Sequence, residues 1–421
     1  MSTPAELPYL DYAATTPVDP RVAECMAAYL QRDGTFGNPA STHRWGQAAA
    51  ACVEQAAAQV GALIGAAPDG VVWTSGATEA DNLAVLGAAR FVRERGRGNH
   101  VLSVRTEHPA VLGAVEQLRR DGMDVTLLTP SADGSVSVDQ LGEALRDDTA
   151  LVSVMHVNNE TGAVQDIAAI GSLLREHRAC LHVDAAQSAG RVPIRVEDWG
   201  VDLLSLSAHK LYGPKGVGVL WVRPRPRLRL SPLLHGGGQQ GGLRPGTLAP
   251  HLIAGMGEAC ALADNAIEGE PPRLRRLRER FRKCVTDLDA VVLNGQPNGS
   301  PHILNVSFGC VNGDALRLDI EGLGVSAGSA CSASNRGGSH VLRAMGVPDA
   351  LAHSTLRVSF GRWTTETEVD TAAQCVVAAV RRLRAFSPSW RRYQGGASLD
   401  GMYGRNAPLA GVSGEQGEQQ R

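Results

Sequence analysis

The chain has 421 residues, of which 43% are hydrophobic and 20% charged, and its formal net charge is −2. This length favours two domains over one small core, and the near-neutral charge argues against a nucleic acid or a membrane as the main partner. No apolar run is long enough to span a bilayer and residues 1–9 show no export signal, so we expect a cytoplasmic protein without a membrane partner.

The first hundred residues predict a turn that suits a phosphate group. Residues 9–17 read as a strand-like start leading into a polar turn, and residues 20–31 and 46–64 have helical spacing. In residues 71–82 a strand, a small-residue turn and a helix follow one another. Such a turn exposes backbone N–H groups at the positive end of the helix dipole. The alternative is an ordinary helix start, because Ser and Thr cap many helices.

Between residues 100 and 222, strands and helices alternate. The predicted strands are 100–104, 124–128, 151–156, 181–183, 203–206 and 217–222, and the predicted helices are 109–121, 139–146 and 167–178. This rhythm favours an α/β domain with a mainly parallel sheet, in which ligands bind beyond the carboxyl ends of the strands. Polar candidates follow those ends: His108, Asn159, Asp184, Gln187 and Lys210.

Lysine is rare here, and two of its positions lie close together. The chain has 41 Lys plus Arg residues, yet its only lysines are Lys210, Lys215 and Lys283. Arginine cannot form a Schiff base, which suggests that Lys210 is present for its chemistry. Its alternative is a surface lysine, and that of Asp184 is a helix N-cap. A lysine, a buried carboxylate and a phosphate-binding turn together match the needs of pyridoxal phosphate.

The second half of the chain predicts a smaller domain. A glycine-rich loop covers residues 235–247, and residues 273–288 form a charged amphipathic helix near a domain hinge. We expect a large cofactor-binding domain over 15–262, a small domain from 1–14 and 263–395, and a partly disordered tail over 396–421. Four alternating arginines are predicted to share one face of a strand, unless they mark a solvated strand edge: Arg223, Arg225, Arg227 and Arg229.

One of the eight cysteines differs from the rest. None forms a CxxC pair, which excludes compact zinc-site spacings, and most have aliphatic neighbours that suit core filling. Cys331 instead lies among small residues and turn formers at 325–339. The segment is predicted to be a mobile loop with a reactive thiol.

Several ordered motifs resemble those of cysteine desulfurases, which are class V enzymes of the pyridoxal-phosphate fold-type I group. The resemblance covers residues 9–403. The motifs are Leu10-Asp11-Tyr12-Ala13-Ala14-Thr15-Thr16-Pro17, Thr74-Ser75-Gly76-Ala77-Thr78-Glu79, Glu107-His108, His156-Val157-Asn158-Asn159-Glu160, His182-Val183-Asp184-Ala185-Ala186-Gln187, Ser207-Ala208-His209-Lys210 and Gly328-Ser329-Ala330-Cys331. The resemblance implies a large domain with a mainly parallel seven-stranded sheet between helices, and a smaller α+β domain. The context of Cys331 matches the long-loop housekeeping subgroup that serves iron–sulfur assembly and tRNA thiolation.

The resemblance also implies roles for individual residues. Lys210 forms the Schiff base with pyridoxal 5'-phosphate, and His108 stacks on the ring and transfers protons, unless it is merely satisfied at a helix start. Asp184 pairs with the ring nitrogen, and Gln187 with the phenolic oxygen. The remaining cofactor-binding residues are Ala77, Thr78, Asn159, Ser207, His209 and, from the other subunit of a homodimer, Thr247; the substrate-binding residues are Asn159, Arg357 and Asn38.

The implied reaction removes sulfur from L-cysteine and leaves L-alanine and a persulfide on Cys331. The implied partners are an iron–sulfur scaffold protein and other sulfur acceptors, with no direct nucleic-acid contact. No metal site is expected beyond transient ligation of an iron–sulfur cluster by Cys331. Selenocysteine lyase, a class V transaminase and a non-enzymatic scaffold stay open as alternatives.

Overall fold

The computed structural model of the chain describes residues 8–225, 228–326 and 338–404. The strands in these ranges are β1 (Val71–Thr74), β2 (His100–Val104), β3 (Asp124–Leu128), β4 (Thr149–Ser153), β5 (Cys180–Asp184), β6 (Leu203–Ser207), β7 (Gly218–Val222), β8 (Val291–Asn294), β9 (Ile303–Phe308) and β10 (Thr355–Ser359). The helices are α1 (Pro20–Ala27), α2 (Arg44–Ile64), α3 (Ala77–Arg93), α4 (Pro109–Arg120), α5 (Val138–Ala144), α6 (Ile167–Leu174), α7 (Val196–Trp199), α8 (Pro250–Ala266), α9 (Glu270–Thr286), α10 (Gly313–Asp319), α11 (His340–Ala344), α12 (Asp349–His353), α13 (Glu366–Ala385), α14 (Pro388–Gln394) and α15 (Leu399–Tyr403).

The large sheet has seven strands in the order β1-β7-β6-β5-β4-β2-β3. Strands β6, β5, β4, β2 and β3 run parallel to one another, whereas β7 is antiparallel to both β1 and β6. Residues 208–217 between β6 and β7 are too few for the crossover that a parallel pair requires, which explains the reversal. The prediction of a mainly parallel α/β sheet is confirmed.

Apolar residues cover both faces of this sheet. Leu102, Leu181 and Leu204 belong to one core cluster, with residues of α2, α6 and α8. The alternate strand positions, such as Val101 and Leu203, belong to another cluster with residues of α3 and α4. Since successive strand side chains point to opposite faces, helices pack on both sides of the sheet.

The smaller domain is built on an antiparallel sheet of order β10-β9-β8. Helices α9 and α13 contribute to its core, which also includes Leu10 from the start of the chain. Ala263 packs in the core of the large domain, and α8 continues to Ala266, four residues past the predicted boundary at 262. The division into domains otherwise stays a prediction.

Two local expectations differ from the structure. Residues 9–17 form only isolated bridges, Tyr9 with Gly324 and Asp11 with Ser359. The arginine face is wrong, because β7 ends at Val222 and Arg223 forms an ion pair with Asp202. Arg227 lies outside the described residues.

The expected tail is partly helical. Residues 399–403 form α15, and the Cys310 N–H donates to the Tyr403 hydroxyl at 2.8 Å. This bond ties α15 to the end of β9, so the segment packs against the small domain. Residues 405–421 lie outside the described part of the chain.

Candidate active site

A cavity of about 630 Å³ lies at the carboxyl ends of the parallel strands. The residues that follow β2, β4, β5 and β6 line it, together with the start of α3 and the N-terminal segment. Ten of the predicted site residues line the cavity: Ala77, Thr78, His108, Asn159, Asp184, Gln187, Ser207, His209, Lys210 and Arg357. The structure thus brings these ten residues together from six separate stretches of sequence.

Lys210 ends a single 3₁₀ turn, Ala208–Lys210, directly after β6. Its Nζ donates to the carbonyl oxygens of Ala13 at 2.6 Å and Ala14 at 2.8 Å. The turn is held in place because the Thr16 N–H donates to the His209 carbonyl and the Tyr212 N–H donates to the Thr16 hydroxyl at 2.8 Å. The amine therefore faces the cavity from a fixed turn.

Asp184 is the last residue of β5 and is only 5% exposed to solvent. Its Oδ1 accepts from the Ala186 N–H at 2.9 Å, but a turn rather than a helix follows, so the alternative of a helix N-cap is wrong. Burial raises the pKa of this carboxyl, and the nearby charges of His108 and Lys210 oppose that rise. A buried carboxylate without an ion pair among the described residues is suited to a cationic ring nitrogen.

His108 is the N-cap of α4. Its Nδ1 accepts from the Ala110 N–H at 3.1 Å, so in the neutral ring the proton is on Nε2. Burial is the main cause that lowers the pKa of the imidazole. His108 is thus satisfied at a helix start, as its alternative requires, and it also lines the cavity. The two descriptions are compatible.

The start of α3 provides the expected phosphate cradle. Gly76 is the N-cap, and no side chain caps the helix. An added Cβ at Gly218 of the adjoining strand would lie 2.6 Å from the Gly76 backbone, so only glycine permits this close packing. Uncapped N–H groups at a helix start, with the hydroxyls of Thr78 and Ser207 on the cavity wall, fit a phosphate group.

His209 lines the same end of the cavity. Its Nδ1 lies 3.1 Å from the Thr15 hydroxyl. Burial, followed by the charges of Lys210 and Lys215, lowers the pKa of His209 to about 4. The ring is therefore neutral near pH 7, and it offers a phosphate group a hydrogen-bond donor rather than a charge.

Arg357 in β10 is 2% exposed, so the alternative of a solvated edge residue is wrong. Its Nη2 donates to Asp11 Oδ1 at 2.7 Å, and its Nη1 donates to the Asn159 carbonyl oxygen at 2.9 Å. The Nε is buried and has no partner among the described residues. An anionic ligand at this wall would meet an arginine that keeps an unused donor.

Two of the predicted residues, Asn38 and Thr247, do not line the cavity of this chain. Asn38 is exposed, and its Oδ1 accepts from the Ala40 N–H at 3.0 Å, so its side chain stabilises a local turn. Thr247 is also exposed and does not line the cavity, and its predicted role from a partner subunit stays a prediction. Cys331 lies outside the described residues.

Gln187 joins the cavity to the N-terminal segment. Its Nε2 donates to the Ala13 carbonyl oxygen at 2.8 Å, which is also an acceptor for Lys210 Nζ. The amine and the amide are therefore held by one carbonyl group, and this shared bond sets their spacing at the wall.

The sequence did not single out four acidic residues of the site. Asp11 pairs with Arg357, and Asp81 and Glu160 line the cavity, while Glu107 is buried beside it. Burial raises the pKa of Glu160 to about 7, and its Oε2 accepts from the Ser339 hydroxyl at 2.5 Å. All four belong to predicted motifs or elements, but no sequence pattern shows that these acids are buried.

Comparison with known proteins agrees with this geometry. The model of the "Aminotransferase class-V" family matches residues 8–371. The cysteine desulfurase IscS of Vibrio cholerae is 52% identical over 93% of this chain and 97% of its own length. The cysteine desulfurase IscS of Photorhabdus laumondii is 50% identical over 94% of this chain and 98% of its own.

Solved structures show the same fold. A NifS-like protein superposes with a TM-score of 0.82 at 32% identity, covering 89% of this chain and 99% of its own. The structure of SspA in complex with cysteine superposes with a TM-score of 0.75 at 39% identity, covering 85% and 99%. The fold-type I architecture expected from the resemblance is confirmed.

The chain belongs to the class-V aminotransferase family, a family of pyridoxal-phosphate enzymes. Within that family it is a cysteine desulfurase. Both assignments agree with the resemblance found in the sequence motifs.

Proposed function

We propose that Lys210, His108 and Cys331 divide the desulfurase reaction among them, with L-cysteine as substrate. The observation that carries this assignment is the convergence of the Lys210 amine, the Asp184 carboxylate and the uncapped start of α3 on one cavity. Each of these groups matches one part of pyridoxal phosphate. Bound there, the cofactor supplies an electron sink for the carbon atoms of the substrate.

The cavity residues would hold the cofactor at three points. Lys210 would bind it covalently, Asp184 would face its ring nitrogen, and the backbone of Ala77 and Thr78 would bind its phosphate with the help of Ser207 and His209. Gln187 would face the phenolic oxygen.

The substrate would be held by its carboxylate. Arg357 and Asn159 are at the same wall, and the guanidinium already donates to the carbonyl of Asn159. An arginine fork binds a carboxylate through two parallel hydrogen bonds. The Arg357 guanidinium would then bind the carboxylate of Asp11 and that of the substrate at the same time.

Proton transfer falls to two cavity groups. Lys210 Nζ or the imidazole of His108 would take the Cα proton and later return a proton to carbon. Burial favours the neutral form of His108, whose Nε2 carries the ring proton while Nδ1 accepts from the Ala110 N–H. The ring can therefore donate a proton from Nε2, and it can accept one at that nitrogen once it has done so.

The sulfur step would occur at Cys331. Its thiolate forms a bond to the sulfur of the substrate as the carbon–sulfur bond breaks, and the electron pair of that bond passes to the substrate side. A proton completes L-alanine, and a persulfide stays on Cys331. An acceptor thiol or an added reductant then removes the outer sulfur.

The acceptors we propose are an iron–sulfur scaffold protein and other sulfur carriers in the cytoplasm. We also propose a homodimer in which Thr247 completes the phosphate site of the partner. No helix among the described residues has the length and apolar character to cross a membrane.

The test replaces Lys210 by arginine, which keeps the charge and cannot bind the cofactor covalently. L-alanine and sulfide released from L-cysteine are measured with an excess of thiol reductant. We expect both products to fall to background in Lys210→Arg. Lys283→Arg in α9 is the matched control, because that lysine is exposed, and it should keep full turnover. Turnover by Lys210→Arg at the wild-type rate would overturn the assignment.

A further inference from the structure

Asp81 is a buried carboxyl group at the cavity that the mechanism does not use. It lies in the first turns of α3, is 1% exposed and lines the cavity. Neither of its oxygen atoms has a hydrogen-bond partner among the described residues. The His182 Nε2 lies 3.6 Å from Asp81 Oδ1, and the Ser205 hydroxyl is also near the carboxyl. An unpartnered polar group is costly to bury, so its retention here requires a physical reason.

Asp81 is next to a row of polar side chains that crosses the otherwise apolar sheet. His182 in β5 contacts the Ser205 hydroxyl of β6 at 3.0 Å through Nε2 and the Ser153 hydroxyl of β4 at 2.8 Å through Nδ1. The Ser103 hydroxyl of β2 donates to the Ser153 carbonyl oxygen at 2.9 Å. These hydrogen bonds fix the position of His182, whose Nε2 is the polar atom 3.6 Å from Asp81 Oδ1.

Among the residues that the structure describes, no positive charge balances Asp81. Burial lowers the pKa of His182 to about 3, so this ring is neutral. The charged groups that face Asp81 are Asp184 at the end of β5 and Glu107 after β2, and both are acids. Burial, followed by the charge of Asp184, raises the pKa of Asp81 well above its usual value, and the Ser205 hydroxyl offsets only part of that rise. His108 and Lys210 act instead on Asp184, where they oppose the effect of burial.

We infer that Asp81 is a positioning residue of the cofactor site, which as a neutral carboxylic acid beside Asp184 leaves Asp184 as the one charge that faces the ring nitrogen. Two ionised carboxylates in this dry space would repel each other, so one of them keeps a proton. The neutral acid still presents an O–H dipole. That dipole stabilises the ionised form of Asp184 and so keeps the ring proton on the cofactor.

This inference rests on the dependence on pyridoxal phosphate, and its test reads the bound cofactor rather than turnover. In the holoenzyme, the visible absorbance of the lysine-linked cofactor is titrated with pH. Asp81→Asn replaces a neutral acid by a neutral amide that also donates, so we expect the pKa of this absorbance change to stay within about 0.2 unit of wild type.

An apolar substitution removes the dipole. In Asp81→Leu, Asp184 becomes the stronger base and draws the ring proton towards itself, and a less electron-poor ring lets the lysine linkage keep its proton to higher pH. We expect the absorbance pKa to rise by about 0.5 unit or more and the affinity for added pyridoxal phosphate to fall several-fold. If Asp81→Leu does not fold, Asp81→Ala removes the same dipole with a smaller side chain and should shift the pKa in the same direction.

Asp202→Asn is the control for a loss of stability alone. Asp202 is also buried, but it pairs with Arg223 and accepts from the Leu181 N–H at 2.8 Å, away from the cavity. Its variant should unfold at lower temperature with an unchanged absorbance pKa.

Two outcomes would overturn the inference. A fall of about one unit or more in Asp81→Asn would show that Asp81 is ionised in the holoenzyme. An unchanged pKa in a folded Asp81→Leu or Asp81→Ala variant would show that the neutral acid has no influence on the cofactor. If the wild-type chain binds no pyridoxal phosphate at all, the assignment of function fails instead, so the two failures are distinguishable.

Discussion

The ion pairs around Glu270 give a stability prediction with a defined magnitude. Glu270 begins α9, its side chain is 8% exposed, and it forms ion pairs with Arg191 of the large domain and Arg362 of the small domain. Arg362 also pairs with Asp19 at 2.7 Å, whereas Arg191 has no second carboxylate among the described residues. Glu270→Gln would therefore leave the Arg191 guanidinium buried without a counter-charge.

Breaking a buried ion pair on one side costs about 3–5 kcal/mol of the free energy of unfolding. Because Asp19 still compensates Arg362, we expect a value of about 3 kcal/mol for Glu270→Gln, at the lower end of that range. Urea unfolding at pH 7, followed by tryptophan fluorescence, measures this difference. Asp370→Asn is the control, because Asp370 pairs with Arg280 on the surface, and its effect should be much smaller.

The pH dependence adds a second check. Burial raises the pKa of Glu270, but Arg191 and Arg362 outweigh burial, so the folded pKa lies below the usual value. The ion pairs thus stabilise the fold fully above the unfolded pKa of about 4.3, and this stabilisation is lost as the pH falls through the folded pKa. The difference between wild type and Glu270→Gln should shrink at acid pH. Equal losses in Glu270→Gln and Asp370→Asn at pH 7 would refute the argument.

Two further predictions concern sulfur transfer. In Cys331→Ser, added L-cysteine should still change the cofactor absorbance, because Lys210 and His108 are intact. Sulfide release should vanish, since a serine hydroxyl cannot carry persulfide sulfur. Undiminished sulfide production would place the nucleophile elsewhere. Truncation after Gly395 removes α15 and keeps α14, whose Trp390 ring covers the Arg384 guanidinium at 4.4 Å. We propose that residues 396–403 help to dock the iron–sulfur scaffold protein. Conversion of L-cysteine to L-alanine with a small thiol reductant should then stay near wild type, whereas sulfur transfer to a purified iron–sulfur scaffold protein should weaken strongly. Unchanged transfer would contradict this docking role.

The sequence predicted the elements that have a local cause. β2 and β3 have the predicted bounds, because each is a run of strand-forming residues between polar or turn-forming ends. In a parallel sheet the cavity forms at the carboxyl ends of the strands. Asp184 at the end of β5 and Lys210 just after β6 could therefore be predicted from their positions in the chain.

The prediction that the four arginines share one face of a strand is wrong for a reason visible in the sequence. Pro224 and Pro226 lack the N–H group that a strand needs for its ladder, so the run cannot continue β7. The alternation of arginines was given more weight than these two prolines. The ion pairs of Glu270 are different, because its partners are 79 and 92 positions away along the chain and no local pattern indicates them.

The N-terminal segment shows why the site depends on such distant contacts. Leu10 packs in the core of the small domain, and Asp11 holds Arg357 on β10. A few residues later, the Ala13 and Ala14 carbonyls hold Lys210 of the large domain. One extended stretch without regular structure therefore sets the distance between the proposed carboxylate-binding arginine and the proposed Schiff-base lysine.

Backbone carbonyls make this arrangement insensitive to side-chain identity at positions 13 and 14, but they require the path of the chain to be fixed. Thr16 fixes it, since its hydroxyl donates to the His209 carbonyl at 2.9 Å and accepts from the Tyr212 N–H. Asp19 then pairs with Arg362 of the small domain. The segment is thus bonded alternately to the two domains, and a change in their relative position would move the Lys210 amine and the Arg357 guanidinium together.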